Sequence, residues 1–256
     1  MPMKLLKEGA SIYAVWEELL ALGIKHCFTT STDNMILTED NNIDTLKANY
    51  QRAKKFSNCK SKETFFSMQV HGKKIETIKT LDDGESFTLG RRLKDTDGLI
   101  TDIKDITLVT QYADCTPITL FDKNKNILAS IHSGWKGTTL KIIEEGIRLM
   151  KQEYLSDPAD IYCFIWPSIG IDDFEVDKDV ADIFKEGFDF FEEVSYTKGN
   201  KFHIDIKEIN KKMALRNGIP LENIFVSDIS TFSDPRFHSY RRDKECSGRM
   251  SLISGM

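Results

Sequence analysis

Histidine and cysteine are scarce in this chain, and what they leave out is as informative as what they supply. Only five His and five Cys occur in 256 residues. Cys27, Cys59, Cys115, Cys163 and Cys246 are odd in number and stand singly, with no CxxC pair. That argues against a disulfide framework and fits free thiols in a reducing compartment. No apolar run approaches the roughly 18 residues of a membrane span. The N-terminal stretch scatters charges among its apolar residues and lacks the apolar centre and cleavage site of a signal peptide. With a formal net charge of −5 there is no basic excess to hold a nucleic acid. Repeats, low-complexity tracts and linker-like Pro/Gly/Ser runs are missing too. These absences predict a cytoplasmic protein without membrane or nucleic-acid partners, folded as one domain over residues 1–256.

What is present reads as a mixture of strands and helices without strict βαβ alternation. Helices are expected over residues 13–22, 43–56, 178–187 and 206–217. Another follows Thr138 or Thr139, either of which is placed to cap it. There Ile142, Ile143, Gly146, Ile147 and Met150 repeat on one helical face. Strands are expected at 26–30, 64–69, 73–78, 106–113, 117–122, 127–132, 161–166 and 224–227. Residues 31–42 and 82–95 read as loops, and the stretch from Ser230 as a polar, basic tail until residues 251–253. The fold class is α+β: a mixed β-sheet with flanking helices.

Chemistry concentrates in residues 111–139, QYADCTPITLFDKNKNILASIHSGWKGTT. Cys115 and His132 lie there near strand ends, and His71 sits upstream in a similar setting. A thiolate and two imidazoles suit zinc, and three protein ligands leave a coordination position open. The spacing of 44 and then 17 residues matches no short metal motif. By spacing alone, a partly buried Cys and two hydrogen-bonded His is the simpler account. The loop SGWKGTT joins a strand to a helix start, a geometry that can present N–H groups to an anion, with Lys136 adding charge. It also reads as a plain Gly-requiring turn. Near the C-terminus, Arg241 and Arg242 offer guanidinium forks for phosphate or carboxylate, or surface ion pairs. Asp114, Asp97 and Glu175 are acid/base candidates, although a lone carboxylate beside a turn is usually a turn residue.

Together these pieces resemble one family closely. They are QVHG at 69–72, DGLIT at 97–101, ADCTPITLFD at 113–122, HSGWKGT at 132–138, PSIG at 167–170, FEV at 174–176, SYRRD at 239–243 and GRM at 248–250. The family has been called multicopper polyphenol oxidases or laccase-domain proteins, and also purine nucleoside phosphorylases with adenosine deaminase activity. The resemblance implies a laccase-domain (cysteine-hydrolase-like) mixed α/β fold, with zinc held by His71, Cys115 and His132. It implies catalysis involving Cys115 and Asp114, and substrates that are a purine nucleoside and phosphate. Phosphorolysis would release base and ribose 1-phosphate; hydrolytic deamination would turn adenosine into inosine. Lys136, Arg241 and Arg242 are the cationic candidates for phosphate, with Glu175 a further candidate substrate contact, and the sequence does not single out which of them reaches it. The chain departs from the family's pattern where an F-x-T-R segment followed by two glycines reads Phe28, Thr29, Thr30, Ser31, Thr32, Asp33, Asn34. Other departures are Ile171, Asp172 and Asp173 before the FEV motif, and Ser230 before Thr231.

Other functions use the same residues. A laccase with several coppers needs many more His than five, but a single copper in a His₂Cys site is an alternative to zinc. Cys115 with His71 or His132 as base would make a cysteine hydrolase. A metal-holding regulatory protein without activity is the non-enzymatic alternative. No protein partner is legible in the sequence.

Overall fold

Most of the apolar runs that read as strands are covered on both faces, which is why they show so little alternation. The structure is a computed structural model and describes residues 3–36 and 43–256. Its largest sheet has eight strands, in the order Met3–Glu8, Ser11–Trp16, Lys25–Thr29, Met250–Gly255, Ile106–Tyr112, Glu63–Met68, Gly90–Lys94, Glu85–Phe87. A second sheet of six runs Ile224–Val226, Ile161–Ile165, Thr116–Asp122, Ile127–Ser133, Gly98–Thr101, Ile75–Ile78. A small three-stranded sheet joins Glu175–Val176, Lys201–Ile204 and Ser195–Lys198. Structural class and sheet mixture agree with the α+β expectation.

The period of two along each strand decides the layering. In Ser11–Trp16, Ala14 and Trp16 face the second sheet, while Tyr13 and Val15 face the helix Ile43–Phe56. In Thr116–Asp122, Phe121 faces the large sheet, while Ile118 and Leu120 face the helices Ile142–Tyr154 and Ile206–Arg216. The inner layer is rich in rings, among them Phe28, Phe65, Phe164 and Trp166, and full burial of each aromatic contributes about 1.5–3 kcal/mol. The polar group that Trp166 carries inside is satisfied: its Nε1–H donates to Thr119 Oγ1 at 3.0 Å. Among the described residues no helix is long and apolar enough to cross a membrane.

Several expectations are corrected. Residues 13–22 are not one helix: a strand runs to Trp16 and a helix of one turn follows, Glu17–Ala21. Tyr13, Val15 and Trp16 are β-formers with an antiparallel neighbour to pair with, and Glu8↔Ser11 leaves a two-residue turn in which Gly9 takes φ 61°. Residues 82–95 are not an irregular loop but a hairpin, Glu85–Phe87 with Gly90–Lys94. Its strands extend the edge of the large sheet, where polar residues are suitable and hide the strand signal. The apolar residues 251–253 that end the polar tail belong to a strand, Met250–Gly255, fully buried between Lys25–Thr29 and Ile106–Tyr112. Neither Thr138 nor Thr139 caps a helix; both lie in a short helix, Trp135–Thr139, and Ile142–Tyr154 starts after Lys141 with no side-chain cap. Of the loop expected at 31–42, residues 37–42 lie outside the described ones.

Candidate metal centre

The two sheets bring three distant residues together. Cys115 sits on the link between the strands Ile106–Tyr112 and Thr116–Asp122, and His132 near the end of Ile127–Ser133. Thr116↔Ser133 and Pro117↔His132 pair across that hairpin, so Cys115 and His132 meet at its open end. His71 arrives from the turn after Glu63–Met68, in the left-handed region at φ 62°. The donor atoms of His71, Cys115 and His132 all lie within 4.8 Å of one another.

Asp97 organises this turn. Its buried carboxylate accepts the backbone N–H of Val70 (3.2 Å), His71 (2.9 Å) and Gly72 (2.7 Å). It also accepts Nδ1–H of His132 at 2.8 Å. That bond fixes the tautomer and leaves Nε2 as the free donor of His132, the arrangement that supports metal-bound imidazoles. Burial pushes the Asp97 carboxyl up, but the His132 hydrogen bond and charge and the backbone N–H donors outweigh it and hold it below the ordinary value. Burial likewise opposes charge on Cys115 and His132. The imidazoles draw the Cys115 thiol down in spite of it, while the thiolate and Asp97 draw His132 up. The site therefore favours a thiolate, the form that ligates a metal.

Glycine shapes the cradle. A Cβ on Gly134 would lie 3.0 Å from Cys115 Sγ and 3.0 Å from His71 Cδ2, so a side chain there would crowd the donors. A Cβ on Gly137 would lie 2.9 Å from the carbonyl oxygen of Gly72. The glycines of SGWKG thus serve close packing of the short helix against the QVHG turn. The donor set, its convergence and the orienting carboxylate all fit one zinc-like ion.

The other histidines stand apart. His26 is buried, its Nε2 accepting Trp16 N–H at 3.0 Å and its Nδ1–H donating to Ile24 O at 2.9 Å. His203 stacks on Tyr196, and His238 packs against Gly248. Among the described residues one His/Cys/carboxylate cluster is placed to hold a metal, which leaves no residues for a multicopper set.

The donors open into a cleft of about 980 Å³. Trp135, Ile169, Phe174 and Tyr240 supply apolar wall, and five cationic residues face three carboxylates along it. Of the predicted contacts, Arg241 lines the cleft; its Nη1 donates to Glu175 O at 2.8 Å and its guanidinium lies over the Phe174 ring. Asp114 also lines it, with φ 80° and both oxygens engaged. They accept from Thr231 Oγ1 (2.7 Å), Ser239 Oγ (3.0 Å) and Arg241 N (2.6 Å), tying the Cys115 turn to the SYRRD segment. Arg242 is not on the cleft wall: its guanidinium is used on the carbonyls of Thr231, Phe232 and Phe237 and on Asp243. Lys136 is exposed beside Trp135, off the cleft wall, and the Glu175 carboxylate lies near His203. Ser31, where the family pattern has Arg, bonds to Pro235 and Arg236. The cleft residues that sequence reasoning missed are Arg92 and Lys94, on the hairpin read as a loop, together with Lys244 and Arg249. GRM marked Arg249 as part of a motif without giving it a role.

A family model described as multi-copper polyphenol oxidoreductase laccase matches residues 25–256. A purine nucleoside phosphorylase, YlmD, from Bacillus subtilis (strain 168) is 33% identical over 75% of this chain and 70% of its own. One from Staphylococcus aureus (strain COL) is 27% identical over 95% of each chain. The crystal structure of YlmD from Geobacillus stearothermophilus superposes with a TM-score of 0.89 at 25% identity, covering 99% of both chains. A hypothetical protein YfiH from Bacillus licheniformis gives 0.89 at 26% identity over 98% of both. With the motif turns, the orienting Asp97 and the full-length structural match in agreement, this chain belongs to the multi-copper polyphenol oxidoreductase laccase family.

Proposed function

We propose that the protein is a zinc-dependent purine nucleoside phosphorylase that splits adenosine or inosine into base and ribose 1-phosphate. Hydrolytic deamination of adenosine to inosine is its companion reaction. What carries this reading is one observation: the His71, Cys115 and His132 donors converge on the wall of an aromatic and cationic cleft. The purine nucleoside phosphorylase names of the relatives support the substrate class.

Phosphorolysis joins a phosphate oxygen to ribose C1′ while the bond from C1′ to the base breaks, its electron pair leaving with the base. The protein must seat a flat base, hold an anion in line and accommodate charge on the departing purine. Trp135, Phe174 and Tyr240 offer ring faces for the base, and Arg241 offers charge for the anion. Cys115 serves as thiolate ligand. Asp97 holds His132 in one tautomer, and Asp114 positions Arg241 by fixing its backbone N–H. Zinc, when held by the three donors, supplies a Lewis acid at the cleft wall. Copper is the alternative ion for the same donors, and metal analysis of the purified protein decides between them.

The test is to incubate the metal-loaded protein with adenosine or inosine, with and without phosphate. Phosphate-dependent release of adenine or hypoxanthine, and phosphate-independent inosine from adenosine, are the expected products. If neither rises above a Cys115→Ala control, the enzyme reading fails and a metal-holding binding protein remains. One arrangement favours a second reading: Asp97 orients His132 beside Cys115, which is also the order of orienter, base and nucleophile in a cysteine hydrolase. Stoichiometric zinc that is lost in Cys115→Ala counts against it, and chelator-resistant hydrolysis abolished by thiol alkylation counts for it.

A further inference from the structure

Nine described residues other than glycine have a positive φ, and four of them line the cleft: His71 (62°), Asp95 (52°), Asp114 (80°) and Lys244 (50°). Asp and His tolerate the left-handed helical region. Lys244 is different: with ψ −131° it lies outside that region, in backbone space where glycine alone is at ease. Neighbouring bonds hold it there. Ser239 Oγ accepts Arg242 N–H at 3.2 Å, Asp114 accepts Ser239 Oγ–H and Arg241 N–H, and Lys244 O accepts Ser247 N–H at 3.0 Å. Strain kept in place by its surroundings, on a residue facing a cleft, points to a task for the side chain.

The other cations of the cleft are engaged. Arg92 and Lys94 face Glu85 at 3.4 Å and 2.8 Å. Arg241 donates to the carbonyls of Asp173 and Glu175, and Arg249 to those of Ser247 and Gly248. Among the described residues no carboxylate lies within ion-pair distance of the Lys244 ammonium. We propose that Lys244, with the guanidinium groups of Arg241 and Arg249 in the same cleft, forms the subsite for free phosphate, and that its strained backbone aims the ammonium into it. The assignment rests on the phosphorolysis reading above.

The experiment compares full-length, zinc-loaded wild type with Lys244→Gly, which removes ammonium and strain together, and Lys244→Arg, which keeps charge. Lys244→Gly is expected to melt roughly 2–4 °C higher. Its KM for phosphate should rise roughly ten- to a hundredfold, while its KM for inosine stays within about twofold. Lys244→Arg should recover most of the phosphate affinity. Inorganic phosphate alone should raise the melting temperature of wild type and not of Lys244→Gly. Unchanged phosphate KM and unchanged phosphate protection in Lys244→Gly overturn the subsite and leave phosphorolysis standing. Wild type that gains phosphate protection but splits no nucleoside overturns phosphorolysis and leaves the subsite standing. Protection by a nucleoside 5′-monophosphate but none by inorganic phosphate overturns the assignment to free phosphate. A lower melting temperature in Lys244→Gly overturns the role given to strain.

Discussion

A single carboxylate oxygen, Asp97 Oδ1, accepts both Nδ1–H of His132 and the backbone N–H of His71. Two of the three donors thus share one positioning atom. Asp97→Asn keeps the size but removes the charge and half the acceptor capacity. The expected result is a loss of metal affinity of roughly ten- to a hundredfold, read by competition with a chromogenic chelator. Affinity within about twofold of wild type would show that the two histidines position themselves.

The three candidate donors differ in what they cost the fold. His71 is exposed on its turn, whereas His132 is 2% exposed inside the sheet. His71→Ala should abolish stoichiometric metal and lower turnover by roughly a hundredfold or more, with a melting temperature close to that of metal-free wild type. His132→Ala should lose metal and stability together, because it leaves the Asp97 carboxylate buried with one partner fewer.

Gly134 gives a cleaner separation of site from scaffold. Its φ of −69° suits any residue, so alanine brings no backbone strain, only a Cβ at 3.0 Å from Cys115 Sγ and from His71 Cδ2. Gly134→Ala should fold normally and bind metal about tenfold or more weakly. Equal zinc content after dialysis against a weak chelator would mean that the donors move aside freely.

His26 predicts an acid limb of stability remote from the cleft. Burial pulls its pKa from 6.5 down to about 4, against the Ile24 carbonyl that it donates to. Below pH 6.5 the unfolded chain takes up a proton that the folded chain refuses, so stability falls as pH drops toward 4. The contribution is full above pH 6.5 and decreases by roughly 3 kcal/mol across this window. Urea unfolding at several pH values should show His26→Gln less stable at neutrality but flatter toward acid. Parallel curves would remove His26 from the account.

The donors were legible before the fold because scarce residue types stood inside recognisable turns: His71 in QVHG, Cys115 in ADC, His132 in HSGW. Their meeting was not, since it depends on pairings such as Pro117↔His132 that spacing does not encode. Asp97 was noticed as an acid/base candidate, yet its role depends on three backbone N–H groups that only folding gathers. Arg92 and Lys94 were hidden because an edge strand with polar residues looks like a loop. Arg242 was over-read: a guanidinium surrounded by carbonyls cannot be told from a free one by composition. The helix Ile43–Phe56 was read correctly to its ends because its period is local.

The strand Met250–Gly255 occupies the middle of the large sheet, yet among the described residues it follows every other strand. A nascent polypeptide therefore cannot complete that sheet until residues 250–255 have left the ribosome, and both flanking strands wait with an open edge until then. Arg249, one residue before the strand, reaches the cleft only when this last piece docks. Until those residues emerge, His71, Cys115 and His132 are already made but lack the part of the cleft wall that Arg249 supplies.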